Sequence, residues 1–175
     1  MTEQTTASTF ETNLPLIVYV RPMGDKTHEW TEFDQGPGEF SIPMAFDVYL
    51  RVKNIRDDEL YSLVKAVANL PGLTYLNLSE NRNITDLGLS RLTALPKLTR
   101  LNLSSCNITN GGLPHLAELK KLEYLDLSYC NRISDEGLRT LKSMTRLVFL
   151  DLQGCVKTSL AGIRKIERRG LTIHR

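Results

Sequence analysis

The chain has 175 residues, 41% of them hydrophobic and 24% charged, with a formal net charge of +2. That length suits one domain, and that balance excludes a disordered or collagen-like chain. The longest apolar run, Leu16 to Val20, has five residues, far short of the ~20 that a membrane-spanning helix needs. No basic-then-apolar leader opens the chain, so a cytoplasmic setting away from membranes is expected.

Charge and leucine content both change along the chain. Residues 1–49 hold eight acids and two bases, whereas residues 50–175 hold twelve acids and twenty bases. Two leucines precede residue 50, and 27 lie from residue 50 onward. The polar stretch 1–9 reads as a disordered tail. Residues 10–44 read as an N-terminal β cap. Leu16 to Val20 is a strand, with further strands around Trp30 to Phe33 and Phe40 to Ile42, and Gly36-Pro37-Gly38 is the turn between the last two. A cap hides the open sheet edge of whatever follows. The sharper alternative is a recognition arm carrying the one tryptophan, Trp30.

From residue 73 the chain repeats itself. Segments starting at Leu73, Leu98, Leu122 and Leu147 align, 25, 24 and 25 residues apart. Each reads L-x-x-L-x-L-x-x-[NC], followed by Ile or Thr, then Gly and helical spacing. In Leu76-Asn77-Leu78 apolar and polar residues alternate, the period of a strand with one buried face. Gly88-Leu89 with Leu92 and Leu95 switches to helical spacing. One unit cannot bury its own leucines, but stacked units share a continuous core. The Asn or Cys position (Asn81, Cys106, Cys130, Cys155) suits a buried side chain that bonds open backbone groups of the turn between coils.

The pattern resembles the leucine-rich repeat family, and within it the cysteine-containing subtype known from substrate-receptor subunits of ubiquitin ligases and from many bacterial proteins. The motifs that carry the resemblance are Asn81 with ITDLGL, Cys106 with ITNGGL and Cys130 with ISDEGL. The resemblance implies an α/β solenoid: a curved right-handed coil with a parallel sheet on the concave face and helices on the convex face. It also implies a protein-interaction role of the adaptor or substrate-receptor kind. No F-box-like helical motif precedes the repeats, so the ubiquitin-ligase role is not carried over.

The solenoid is expected over 45–175. A degenerate first unit spans 45–72, with a helix from about Asp57 to Leu70. Units at 73–97, 98–121, 122–146 and 147–170 follow, and a final strand covers 171–173. Lys53 takes the Asn or Cys position in the first unit.

Catalytic and cofactor chemistry finds little support. Cys106, Cys130 and Cys155 share one repeat position, with no His or acid at ligand spacing, so neither a metal nor a cofactor is expected. Unpaired thiols suit a reducing compartment. His28, His115 and His174 fall in separate regions and cannot converge on a nucleophile. The acids Asp57-Asp58 and Asp135-Glu136 sit at helix starts, where they favour the helix dipole. An enzyme or small-ligand protein built on Asp126 and Asp151 is the alternative reading. Nucleic-acid binding through the basic end (Arg164, Lys165, Arg168, Arg169, Arg175) is a further one, but no stacking aromatic accompanies those bases.

Outward positions on the strands form columns. One holds Asp47, Tyr75, Arg100, Tyr124 and Phe149. The next holds Tyr49, Asn77, Asn102, Asp126 and Asp151. A third holds Arg51, Ser79, Ser104, Ser128 and Gln153, and a fourth Val52, Glu80, Ser105, Tyr129 and Gly154. From residue 62 onward, every aromatic falls in these columns: Tyr75, Tyr124, Tyr129 and Phe149. Exposed aromatics dominate protein-binding surfaces. Tyr75, Arg100, Tyr124, Asp126, Tyr129, Phe149 and Asp151 are therefore the expected partner-binding residues. Tyr124, Tyr129 and Phe149 should lie close together. The partner is a protein or peptide, and the chain alone is expected to be a monomer.

Overall fold

The structure, a computed structural model, describes residues 7–175; most of the expected disordered tail lies outside them. Its last three residues do not: strand β1 starts at Ala7 and runs to Thr12. Backbone pairing explains the difference, because Ala7, Ser8 and Thr9 each face a residue of β4 (Gly38–Pro43).

The N-terminal region continues with β2 (Leu16–Pro22) and β3 (Thr31–Gln35). Then come β5 (Phe46–Val52), α1 (Asp57–Val67), β6 (Leu73–Asn77), α2 (Asp86–Arg91) and β7 (Arg100–Asn102). The chain finishes with α3 (Leu113–Ala117), β8 (Tyr124–Asp126), α4 (Asp135–Leu141), β9 (Phe149–Asp151), α5 (Leu160–Arg164) and β10 (Thr172–His174). Strands β5 to β10 form a parallel sheet in chain order. The sheet is extended by β2, antiparallel to β5, and by β3, antiparallel to β2. The ribbon of β1 and β4 is separate and buries Phe10, Phe40 and Ile42 in the common core.

Inward leucines make that core. Leu76, Leu101, Leu125 and Leu150 line up one per strand, and all four are completely buried. The helices stack on the opposite side, each against its neighbour.

Two ladders stitch the coils together. In the turn after each strand, Cys106 Sγ donates to Leu78 O (3.1 Å), Cys130 Sγ to Leu103 O (3.2 Å) and Cys155 Sγ to Leu127 O (3.0 Å). Asn81 does more: it accepts from Ile55 N and donates to Val52 O, Leu78 O and Ser79 O. The second ladder runs along the helix starts. Asp57 accepts from Thr85 N and Oγ1, Asp86 from Thr109 N and Oγ1, and Asp135 from Ser159 N and Oγ. Asn110 takes this place against Ser134, accepting from Ser134 N and donating through Nδ2 to Ser134 Oγ. The acids at helix starts therefore do more than favour the helix dipole: they tie each coil to the next. Glycine is required one turn later, because a Cβ on Gly88, Gly137 or Gly162 would run into Asp57, Asn110 or Asp135.

The first unit sits in a different register from the one expected. Tyr49 pairs with Tyr75, Leu50 with Leu76 and Arg51 with Asn77, after an irregularity between Val48 and Tyr49. A shift of two residues separates this from the sequence alignment. Alternation has period 2, so such a shift leaves every inward residue inward and the hydrophobic pattern cannot detect it. Asp47 and Val52, expected in outward columns, are buried. Tyr49 takes the place expected of Asp47, and Arg51 that of Tyr49. Asn54 replaces Val52 in the last column. There Asn54, Glu80, Ser105, Tyr129 and Gly154 all adopt positive φ, between 59° and 70°.

Candidate functional site: the outer face of the sheet

One column of side chains crosses the outer sheet face from β2 to β10. Backbone pairing sets Tyr19, Tyr49, Tyr75, Arg100, Tyr124, Phe149 and Thr172 side by side. Strands in register bring identical column positions about 4.8 Å apart, close to stacking distance. The rings use it. Centroid distances are 4.7 Å for Tyr19 and Tyr49, 4.2 Å for Tyr49 and Tyr75, and 4.6 Å for Tyr124 and Phe149, with interplanar angles of 16°, 15° and 5°. The Arg100 guanidinium fills the gap in the stack, 5.3 Å from the Tyr75 centroid and 4.7 Å from that of Tyr124. Burial holds the Tyr75 hydroxyl protonated, with its pKa pushed up to about 12, and raises Tyr49 and Tyr124 in the same direction.

The loop between β2 and β3 covers one end of this column. Trp30 packs its edge on Tyr49 (5.6 Å) and lies 6.3 Å from Tyr75. Arg21 stacks over the other side of Trp30 at 4.3 Å and pairs with buried Asp47 at 3.4 Å. Asp47 also accepts from Gly24 N. Asp25 gathers Thr27 Oγ1, Thr27 N and His28 into a tight turn, and those bonds hold its carboxyl well below the usual range. At the loop's tip Lys26 reaches Glu123, beside Tyr124, at 2.9 Å. Between loop and sheet lies a cavity of about 220 Å³ lined by Arg21, Lys26, Arg100, Glu123 and Tyr124, among others. Tyr124 and Phe149 lie beyond the tryptophan.

The adjacent column is polar: Arg51, Asn77, Asn102, Asp126, Asp151 and His174. Four of these residues shape the chain as well as line the face. The side-chain oxygens of Asn77, Asn102, Asp126 and Asp151 accept from the backbone N–H two residues on, at 2.8–2.9 Å. Asx turns of this kind end each strand. The second oxygen of Asp126 accepts from Asn102 Nδ2 (3.0 Å), and that of Asp151 meets His174 Nδ1 (2.9 Å). Neither Asp126 nor Asp151 lines the cavity between loop and sheet. Among those residues no group of three metal-ligating side chains converges.

The structure brings together Tyr75, Arg100, Tyr124 and Phe149 in one stack, with Asp126 and Asp151 beside them. Tyr129 stands apart from it. Its positive φ turns it out of the sheet past the end of β8, and its ring lies over Gly154, where any Cβ would collide with it. It is 52% exposed and borders an open basin of about 570 Å³ with Arg82 and Arg132. The expected cluster of Tyr124, Tyr129 and Phe149 is therefore a pair plus an outlier. Sequence reasoning left out Tyr19, set Tyr49 one column over, and gave Trp30 only as part of an alternative recognition arm. Tyr49 carried a signal, since a two-residue shift of the first unit puts it in the aromatic column. The path of the loop carrying Trp30 left no such mark.

At the basic end, Arg168 donates to Met144 O and Leu147 O, and Arg175 to Thr158 O. Two of the five bases at that end thus serve the fold. Among the described residues no helix is long and apolar enough to cross a membrane.

A family model described as leucine-rich repeat matches residues 54–108, and one described as leucine-rich repeats in two copies matches 96–140. No curated protein matches the chain. Among solved structures, yeast Rad7, crystallised with Elc1, is similar at 22% identity and a TM-score of 0.58, covering 69% of this chain. The chain spans 31% of that Rad7 chain's length. Internalin C2 from Listeria monocytogenes is 28% identical with a TM-score of 0.46, over 63% of this chain and 44% of its own. TLR13, solved in complex with ssRNA13, is 24% identical with a TM-score of 0.35, over 53% and 16%. With its leucine ladder, parallel sheet and stacked helices, the chain belongs to the leucine-rich repeat proteins.

Proposed function

We propose that the chain is a non-catalytic protein-interaction module that grips a polypeptide on the outer face of its sheet. An adaptor or substrate-receptor role suits such a module. The observation that carries this reading is the aromatic column, half of which the chain's own loop already occupies. Trp30 and Lys26 engage Tyr49, Tyr75 and Glu123 as a bound peptide would. Tyr124 and Phe149, with Asp126 and Asp151, form the half left for a partner. Arg100 supports the same reading, because its Nε is buried without an acceptor while two rings hold the guanidinium in place.

The three buried, unpaired thiols support assignment to the cysteine-containing subtype and to a reducing, cytoplasmic setting. Residues 10–44 act as the N-terminal cap, supported by the seven-pair register of β2 on β5. The charged, fully exposed edge strand β3 discourages further strand pairing.

A partner purified from the native host, titrated against variants, tests the reading. Tyr124→Ala or Phe149→Ala should weaken binding by ~2 kcal/mol or more, with the fold intact. Arg91→Ala and Lys120→Ala, on the helix side, should leave binding unchanged. Loss of binding from the helix-side changes, with the aromatics indifferent, would place the functional surface on the opposite side.

A further inference from the structure

The aromatic column shows from within what else it accepts. Five of its members are rings and one is a guanidinium. Arg100 forms no ion pair among the described residues, and the Tyr75 and Tyr124 faces hold it. A guanidinium suits such a place because it is flat and weakly hydrated, and stacks while its edge nitrogens stay free to donate. Past Tyr124 and Phe149 the stack stops. The next position, one strand on, is Thr172, which is exposed and carries no ring. Among the described residues the far face of Phe149 has neither aromatic nor cationic cover.

Charge at that end is uncompensated. Asp126 and Asp151 sit on adjacent strands, and no Lys or Arg lies within ion-pair distance of either among the described residues. His174, the neighbour of Asp151 on β10, is the one side chain that competes for it. Arg100 stands two strands from Phe149, about 10 Å away, close to the distance over which salt screens exposed charges. Glu123 is already engaged by Lys26.

We propose that the partner presents an arginine, whose guanidinium takes the vacant place above Thr172, stacked on the free face of Phe149 and paired with Asp151. This repeats, one step beyond Phe149, the setting of Arg100 one step before Tyr124. The proposal rests on the outer sheet face being the binding surface, and it adds the chemistry that the surface selects. Lysine fits less well, since its compact, strongly hydrated ammonium does not stack in the same way.

The test uses the full chain, isotopically labelled, and the blocked tripeptide acetyl-Gly-Arg-Gly-amide with its lysine and citrulline counterparts. The arginine peptide should shift the Phe149 ring and the Asp151, Thr172 and His174 signals. The lysine peptide should bind several-fold more weakly, and citrulline, flat but uncharged, should not bind. Asp151→Asn should weaken the arginine peptide about tenfold. Thr172→Arg, which supplies the guanidinium from the chain itself, should abolish the shifts. Equal shifts from arginine and citrulline, shifts centred elsewhere, or none up to millimolar concentrations would each overturn the proposal. With a purified partner, binding that falls on Phe149→Ala but survives replacement of every partner arginine by lysine would sink the arginine while leaving the surface standing.

Discussion

A single methyl group at Gly88 should destabilise the protein, and the same methyl should stabilise it once Asp57 has been shortened. Gly88 lies inside α2, where alanine is favoured over glycine by ~1 kcal/mol. Against that gain, its Cβ would enter the Asp57 carboxylate, with Leu60 Cδ2 next at 3.2 Å. Backbone cannot yield easily there, so the carboxylate must swing away. It then loses its bonds to Thr85 N (2.9 Å) and Thr85 Oγ1 (2.6 Å). Charge-assisted bonds at a half-buried site are together worth ~2–3 kcal/mol. Gly88→Ala should therefore cost ~1–2 kcal/mol net, and Asp57→Ala ~2–3 kcal/mol. In the Asp57→Ala background the bonds are already gone, so Gly88→Ala should recover up to ~1 kcal/mol. The coupling is then ~2 kcal/mol, well above the additivity error of a double-mutant cycle. Urea unfolding of the four proteins measures it. If Gly88→Ala changes stability equally in both backgrounds, the glycine is not there to make room for the aspartate.

Two further outcomes follow from the ladders and the first coil. Burial pushes the Cys106 thiol up to about 12, Cys155 to about 11 and Cys130 further still. Above the ordinary thiol value of ~8.5 the unfolded chain sheds protons that the folded chain keeps, so stability falls as pH rises from there through the folded values. Each thiol adds up to ~1.4 kcal/mol per pH unit to that slope. Denaturant midpoints of wild type and Cys130→Ala between pH 8 and 10.5 should diverge in slope, and parallel lines would refute the buried-thiol account. Deleting residues 1–44 should uncover the edge of β5, whose Val48, Leu50 and Val52 are fully buried, and cause aggregation. A truncated chain that stays monomeric with an unchanged melting temperature would remove the capping role.

Much of this architecture could be read from the residues because repetition multiplies weak signals. Leu76, Leu101, Leu125 and Leu150 occupy one place in four units, and so do the thiols and the Asn that bond the neighbouring turn. Tyr75, Arg100, Tyr124 and Phe149 could be set side by side by the same count. What failed was whatever the repeat does not constrain. The first unit could slide by two residues because Val48 and Leu50 point inward in either register. Asp57 and Asp135 were visible as helix-start acids, and Asp86 was not singled out. Their bonds to Thr85, Thr109 and Ser159 depend on how one coil leans on the next, which spacing does not encode. Tyr129 was misplaced because its outward column leaves the sheet at a positive φ. The only hint was Gly154 at the same position one unit later. The fold of the loop over Tyr49 and Tyr75 depends on the Arg21 and Asp47 pair, formed between residues 26 apart with no motif in common.

The unequal stitching of the coils gives the solenoid a direction of opening. Asn81 closes its junction with two bonds, from Ile55 N and to Val52 O, while each thiol closes its own with one. At one end β2 zips along the whole of β5; at the other, β10 is a three-residue strand laid on β9. In a linear array each coil is held only by its neighbours, so fluctuations begin where the junctions are thinnest. Unravelling is therefore expected to start at β10, the end held by one neighbour, and to proceed inward. Phe149, Asp151 and Thr172 straddle the last seam, and an arginine seated across them would act as a clasp on the end that otherwise frays.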